Sequence, residues 1–365
     1  MIIPVTLSVY IGKKFISGTA LVFATLMLII FLFDSVELMR RGLAREVPIG
    51  IIIEMSLLKL PSMAQEMLPF AILLGGILSF ARLTATSELV VTRSAGVSAW
   101  QFLMPAFLIA FAAGFLMMTV FNPLSAIMLS RFEQVEAKYF KGTTSMLSVS
   151  STGLWLRQKN EDGTGKTIIN SLRVSYETME LFDVTIFMFD NTNKFIQRID
   201  AKSMLLDKGY WNIQNAVLTV PGKPASDTMN YKLNTTLSKD QIQESFASPE
   251  TMSFWELPGF IKTLKAAGFS ALRHTLHWHS VLSTPFLLCS MVFFAAAFSL
   301  RPPRRGKIGM MMSGGILSGF LIYFLSYLVS AIGLSGSIPI IMAAWAPVGI
   351  SILLGTALML HLEDG

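Results

Sequence analysis

The chain has 365 residues, 53% hydrophobic and only 14% charged, with a formal net charge of +6. Soluble domains run nearer a quarter charged, so this composition argues against a soluble enzyme, a disordered chain and a nucleic-acid-binding domain, and no nucleic acid is expected as a partner. Of the 52 charged residues, 32 lie in 131–279, which marks a membrane protein carrying one polar insert.

Crossing about 30 Å of hydrocarbon takes roughly 20 apolar helical residues, and runs free of Asp, Glu, Lys and Arg supply the candidates. Residues 15–33 make the first span. Asp34, Glu37, Arg40 and Arg41 follow it instead of a small-x-small cleavage site, so it is not a removable signal peptide. The second run, 67–81, extends to about Leu57 if Lys59 snorkels and Glu66 is tolerated. Residues 94–130 hold a short lead-in helix and a third span. The fourth is 280–300, with the single cysteine, Cys289, inside it, so no internal disulfide and no cysteine metal cluster is expected. Residues 308–360 are too long for one span and break at the turn signal Gly333–Pro339, giving two more and six in all.

Short-loop cations set the orientation. Lys13, Lys14, Arg82, Arg93, Arg301, Arg304, Arg305 and Lys307 fall on one side, against Arg40, Arg41, Arg45 and Lys59 on the other. Both termini are therefore expected in the cytoplasm, with the insert and the 333–339 turn outside.

Within 143–250 the pattern changes to short alternating runs at 153–157, 167–170, 183–189, 194–199 and 211–220. Turn signals separate them at Asp162-Gly163, Asn191–Asn193, Asp207–Gly209 and Pro221-Gly222. Period-2 alternation at this spacing predicts an antiparallel β sandwich or open barrel. Segments 124–141 and 254–268 read as helices flanking it. The expected organisation is 1–130 with three spans, 131–270 with the β domain and its linker helices, and 271–365 with three more.

Several clusters invite a functional reading. Gly163–Thr167 resembles the end of a phosphate-binding loop, but Asn160 stands where that pattern wants glycine, and a hairpin turn is the better reading. His274, His277 and His279 lack an evident carboxylate partner for zinc, and with Trp278 read as interfacial anchors. Glu66, between Pro61 and Pro69, is either a functional carboxylate within the membrane or, the favoured reading, an interfacial one paired with Lys59. In the segment 84–98, Thr86 or Ser87 can cap a helix with Glu88 in its first turn. Leu89, Val90 and Ala95 give it an apolar side, and Gly96 can end it in a left-handed turn. Such a helix either lies on the bilayer surface or docks into a groove with a basic rim. Arg40, Arg41 and Arg45, with Arg131, Lys138 and Lys141, either anchor helix ends by snorkelling or form an outer ring suited to anionic phosphate. Phe320, Tyr323, Phe324 and Tyr327 stripe one side of span 5, as packing or as the wall of an apolar cavity. No catalytic constellation and no cofactor site of its own stands out.

Ser87–Val91 with Ala95-Gly96, the opening Tyr10–Lys13, Gly153–Trp155, and the pairs Leu60-Pro61 and Leu68-Pro69 carry a resemblance over essentially the whole chain. The chain resembles the LptF/LptG family of lipopolysaccharide-export permeases, and Ser87–Val91, the opening and Gly153–Trp155 look more like the LptG branch. The resemblance implies an α-helical membrane protein with six transmembrane helices and a periplasmic β-jellyroll-like insert, located in the bacterial inner membrane. It implies one half of a heterodimeric ABC exporter that extracts lipopolysaccharide. Its partners are then an LptB-like ATPase dimer that binds the ATP and magnesium, an LptF-like paralogue, and LptC-like and LptA-like bridge proteins. Residues 84–98 become the coupling helix, with Ser87, Glu88, Leu89, Val90, Arg93 and Gly96 facing the ATPase. Arg40, Arg41 and Arg131 become contacts for lipid phosphate. Asp34 stands where relatives carry a basic residue. The LptF role is the nearest rival. A membrane sensor with an outer ligand-binding domain is the other, disfavoured because no cytoplasmic segment is long enough for an output domain.

Overall fold

The computed structural model describes residues 5–141, 147–150, 153–159, 165–175, 180–192, 194–207, 209–235, 248–266, 270–299 and 308–363. They form two compact units: 1–135 with 253–255 and 275–365, and 136–252 with 256–274.

The first unit is helical. Its elements are α1 (Val5–Leu43), α2 (Ile49–Ala85), the short α3 (Glu88–Ser94), α4 (Ala99–Leu116) and α5 (Asn122–Glu136). After the insert, which contains α6 (Leu257–Ala266), come α7 (Leu272–Ser299), α8 (Ile308–Leu334) and α9 (Ile340–Glu363). Among the described residues, six helices are long and apolar enough to cross a membrane, one of them Ala99–Phe140, a continuous rod joined through a widened turn at Met117–Phe121. Most run past the apolar cores that mark them in the sequence: α1 continues ten residues beyond Phe33, through Asp34 and Arg40, to Leu43. The turn expected at 333–339 separates α8 from α9, with Gly336 at φ +80°.

Small residues let these helices touch backbone to backbone, the usual means of packing where lipid is as apolar as leucine. A Cβ on Gly75 of α2 would lie 2.4 Å from the Thr19 Cα of α1. One on Gly114 of α4 would lie 2.5 Å from the Pro285 Cα of α7. At the first contact Ser79 Oγ donates to the carbonyls of Gly75 (2.8 Å) and Lys14 (3.1 Å). Thr84 Oγ1 donates to Ser299 O at 3.0 Å, closing the end of α2 onto α7. Around these seams Phe15, Leu73, Ile77, Phe80, Leu103 and Val292 form a buried core.

A third polar cluster sits at the widened turn of span 3. The Asn122 carboxamide oxygen accepts the Phe254 N–H at 2.7 Å, and the Trp255 indole donates to Thr119 O at 3.2 Å. The chain returning from the insert is thereby fastened to the helix by which it left.

The second unit contains a seven-stranded antiparallel sheet: β1 (Leu147–Ser150), β2 (Gly153–Lys159), β3 (Gly165–Ser175), β4 (Glu180–Asp190), β5 (Phe195–Asp207), β6 (Tyr210–Thr219) and β7 (Ser226–Asn234). Among the described residues the strands pair in sequence order, an up-and-down meander, where the double Greek key of a jellyroll crosses over. The sheet nevertheless folds on itself. The Gln158 side chain of β2 bonds the Trp211 indole of β6 (3.3 Å), the Thr235 hydroxyl (2.8 Å) and the Asn234 carbonyl (3.2 Å). Leu154, Ile169, Ile186, Ile199, Met204 and Ile213 fill the face so enclosed. Alternation slips at Asp183 and Asn215, both at φ 53°, a conformation Asp and Asn tolerate best among non-glycine residues. Leu181 and Val184 therefore both point inward, as do Ile213 and Ala216.

Candidate functional site

The segment between α2 and the third span folds as expected in outline. Gly96 takes φ +84° directly after α3, the left-handed turn that its lack of a side chain permits. The cap differs: Ser87 adopts φ 60° and makes no side-chain cap bond. Thr86 instead donates its hydroxyl to Glu88 Oε1 at 2.9 Å. Glu88 also lies beside Tyr10 of α1 and lines a cavity with Lys14 and Arg82, so the one carboxylate of α3 faces the bundle. Leu89 is buried, while Val91 and Arg93 are exposed. The side chain of Val90 lies outside the described residues. Beneath α3 the adjoining ends of α1 and α2 leave a cavity of about 350 Å³, lined by Lys14, Ser17, Ser79, Arg82, Thr86 and Glu88.

At the opposite end of α1, acids meet the cations. Lys59 Nζ bonds Asp34 Oδ1, and the Lys59 ammonium stands 5.8 Å from the centre of the Phe132 ring. Arg40 takes Glu37 through two bonds of 2.7 and 2.8 Å, with both side chains exposed. Arg41 and Arg45 are exposed on the same helix end, and Arg131 is exposed on α5. The Asp34–Lys59 pair is legible in the sequence only as two charges; their meeting depends on how α1 and α2 rotate about each other.

Phe320, Tyr323, Phe324 and Tyr327 all face outward from the first unit, each more than half exposed. Phe320 stacks on Phe324, and Tyr323 tilts against Phe70 of α2. Aromatic side chains of this size left uncovered are a surface for lipid tails or a second subunit.

The remaining clusters are simpler. Gly165, Lys166 and Thr167 open β3, so the phosphate-loop resemblance falls on a strand that runs on to Ser175 where a helix would have to start; residues 163 and 164 lie outside the described residues. Trp278 stacks on Phe254, and His274 rests against Phe260. Glu66 is exposed on α2. Arg301, Arg304, Arg305 and Lys307 lie outside the described residues.

The lipopolysaccharide export system permease LptF/LptG family matches the chain over residues 9–361. The chain is 26% identical over 355 residues to the lipopolysaccharide export system permease protein LptG of Escherichia coli strain K12, covering 93% of each. It is also 26% identical over 361 residues to the protein of the same name from Haemophilus influenzae, covering 94% of each.

Proposed function

The chain belongs to the LptF/LptG family of lipopolysaccharide export permeases, and we propose that it is the LptG-like half of a heterodimeric exporter. It is a multi-pass permease subunit of an ABC transporter, not itself a catalyst. In this reading both termini face the cytoplasm, the β domain faces the periplasm, and the membrane is the bacterial inner membrane.

The observation that carries the mechanism is the seating of Glu88 of α3, bonded to Thr86 at the end of α2 and lining one cavity with Lys14 of α1 and Arg82 of α2. An LptB-like ATPase dimer, which holds the ATP and magnesium, grips α3. Closure of that dimer displaces α3, and the Glu88 contact passes the displacement to α1. Spans 1, 2 and 5 then squeeze an apolar cavity shared with an LptF-like paralogue, whose wall includes Phe320, Tyr323, Phe324 and Tyr327. Arg40, Arg41 and Arg131 hold the lipid phosphates at the outer surface. Each acyl CH₂ exposed to water costs about 0.8 kcal/mol, so the chains must leave along a continuous apolar path. The β domain supplies the next stretch, toward LptC-like and LptA-like bridge proteins.

Isolation of the native complex tests this. A soluble ATPase and bound lipopolysaccharide are expected to copurify with the chain, and their absence would overturn the reading. Rescue of cells depleted of LptG, but not of cells depleted of LptF, is expected for the LptG-like assignment.

A further inference from the structure

The cavity under α3 is lined by two cations on different helices, Lys14 of α1 and Arg82 of α2. One carboxylate, Glu88, lines it with them, and it already accepts the Thr86 hydroxyl. Two cations against one carboxylate leave the cavity with an excess of positive charge, which favours a further anion there. The rest of the lining suits such an anion only if it carries an apolar body: Ser17 offers a hydroxyl, while Leu83 and Ala85 form an apolar wall. The cavity lies where α1 and α2 pass from apolar residues to Lys13, Lys14 and Arg82, the level at which lipid phosphates sit.

We propose that this cavity binds the phosphodiester headgroup of an anionic phospholipid, with Arg82 and Lys14 as its ligands. Arginine presents its guanidinium as a fork to two phosphate oxygens, and lysine acts as a point charge beside it. The leaflet named, the cytoplasmic one, rests on the orientation given under the proposed function; that leaflet is the one rich in anionic lipid. A headgroup seated there touches the root of α3. It is thus a second cargo-independent contact at the joint through which the ATPase acts.

The assembled transporter, reconstituted in phosphatidylcholine with or without phosphatidylglycerol, provides the test. A photoreactive phosphatidylglycerol is expected to crosslink within residues 14–17 and 79–88, and its phosphatidylcholine counterpart is not. Lys14→Gln with Arg82→Gln should lower that crosslinking about tenfold or more, the weight of two cations at a membrane surface; Arg82→Lys should retain part of it. Equal labelling by both lipids in the wild type, or labelling unchanged in the double variant, would overturn the assignment. Displacement by inorganic phosphate would overturn its lipid character. The wild-type comparison stands even if the double variant fails to assemble. ATPase retention and lipopolysaccharide crosslinking are read from the same samples: their loss with headgroup labelling intact counts against the exporter reading alone, and the reverse pattern counts against this site alone.

Discussion

Lys59 of α2 meets Asp34 of α1 at 2.5 Å, across 25 positions of sequence. Their side chains are 34% and 16% exposed, so each would face a largely dehydrated surrounding without the other. Asp34→Ala is expected to destabilise the protein by roughly 1–3 kcal/mol, because it strands the ammonium. The exchanged pair, Asp34→Lys with Lys59→Asp, should recover most of that loss. Thermal melting of the purified complex measures both, and unchanged melting in the single variant would show that the pair contributes nothing.

Arg40 is held by Glu37, but both are exposed, and surface pairs contribute little. Arg40 is therefore available to a stronger anion. Replacing Arg40 and Arg41 by Glu should reduce lipopolysaccharide crosslinking to α1 several-fold, whereas Glu37→Gln should leave it equal or higher. Undiminished crosslinking in the first variant would move the phosphate contacts elsewhere.

Glu88→Lys should abolish retention of the ATPase while the membrane subunit still folds and inserts. Tyr10→Phe removes only the α1 hydroxyl beside that carboxylate. It should keep the ATPase bound yet lower the transport obtained per ATP hydrolysed. Normal transport in Tyr10→Phe would show that thrust reaches the bundle through α2 alone.

Gln158 is 4% exposed and bonds three partners on or just beyond β6 and β7. Gln158→Leu leaves the Trp211 indole and the Thr235 hydroxyl without that partner, at roughly 1–3 kcal/mol for each buried group left unsatisfied. Faster proteolysis within residues 147–235 of the intact protein is expected, with the helical unit unaffected.

Asp190 anchors the β4–β5 turn. Its carboxylate accepts the Thr192 hydroxyl and the N–H groups of Thr192 and Lys194, which hold its pKa below the usual aspartate value. A depressed folded pKa contributes stability that is complete above the ordinary value and lost as pH falls through the folded one. The turn should therefore loosen only in acid, below the ordinary aspartate range. Asp190→Ala should loosen it at neutral pH and remove the acid step, as followed by amide exchange at Lys194.

The spans are legible in the sequence because a charge-free run of about 20 residues suits little besides a helix in hydrocarbon. Helix ends are not, since α1 continues through Asp34, Glu37 and Arg40: a helix needs no apolar residues once nucleated. Five strands announce themselves by alternation. Ser226–Asn234 does not, having few apolar residues to alternate, and the slips at Asp183 and Asn215 are invisible to any fixed period. In the candidate site, Gly96 signals its turn, but Ser87 does not cap α3 as its residue type suggests, because its backbone is left-handed (φ 60°) instead of the extended form of an N-cap. The pairs Asp34–Lys59 and Glu88–Tyr10, and the gathering of Lys14 with Arg82, arise between helices, and sequence spacing says nothing of helix rotation.

The bonds from Phe254 to Asn122 and from Trp255 to Thr119 have a consequence for how such chains diversify. Because the two stems of the insert are stapled at the widened turn, everything strung between them is a loop whose closure is settled within the bundle, and lengthening a closed loop costs only a logarithm of its size. Evolution, or an engineer, can therefore exchange or enlarge the intervening sheet as a cassette while the spans keep their register.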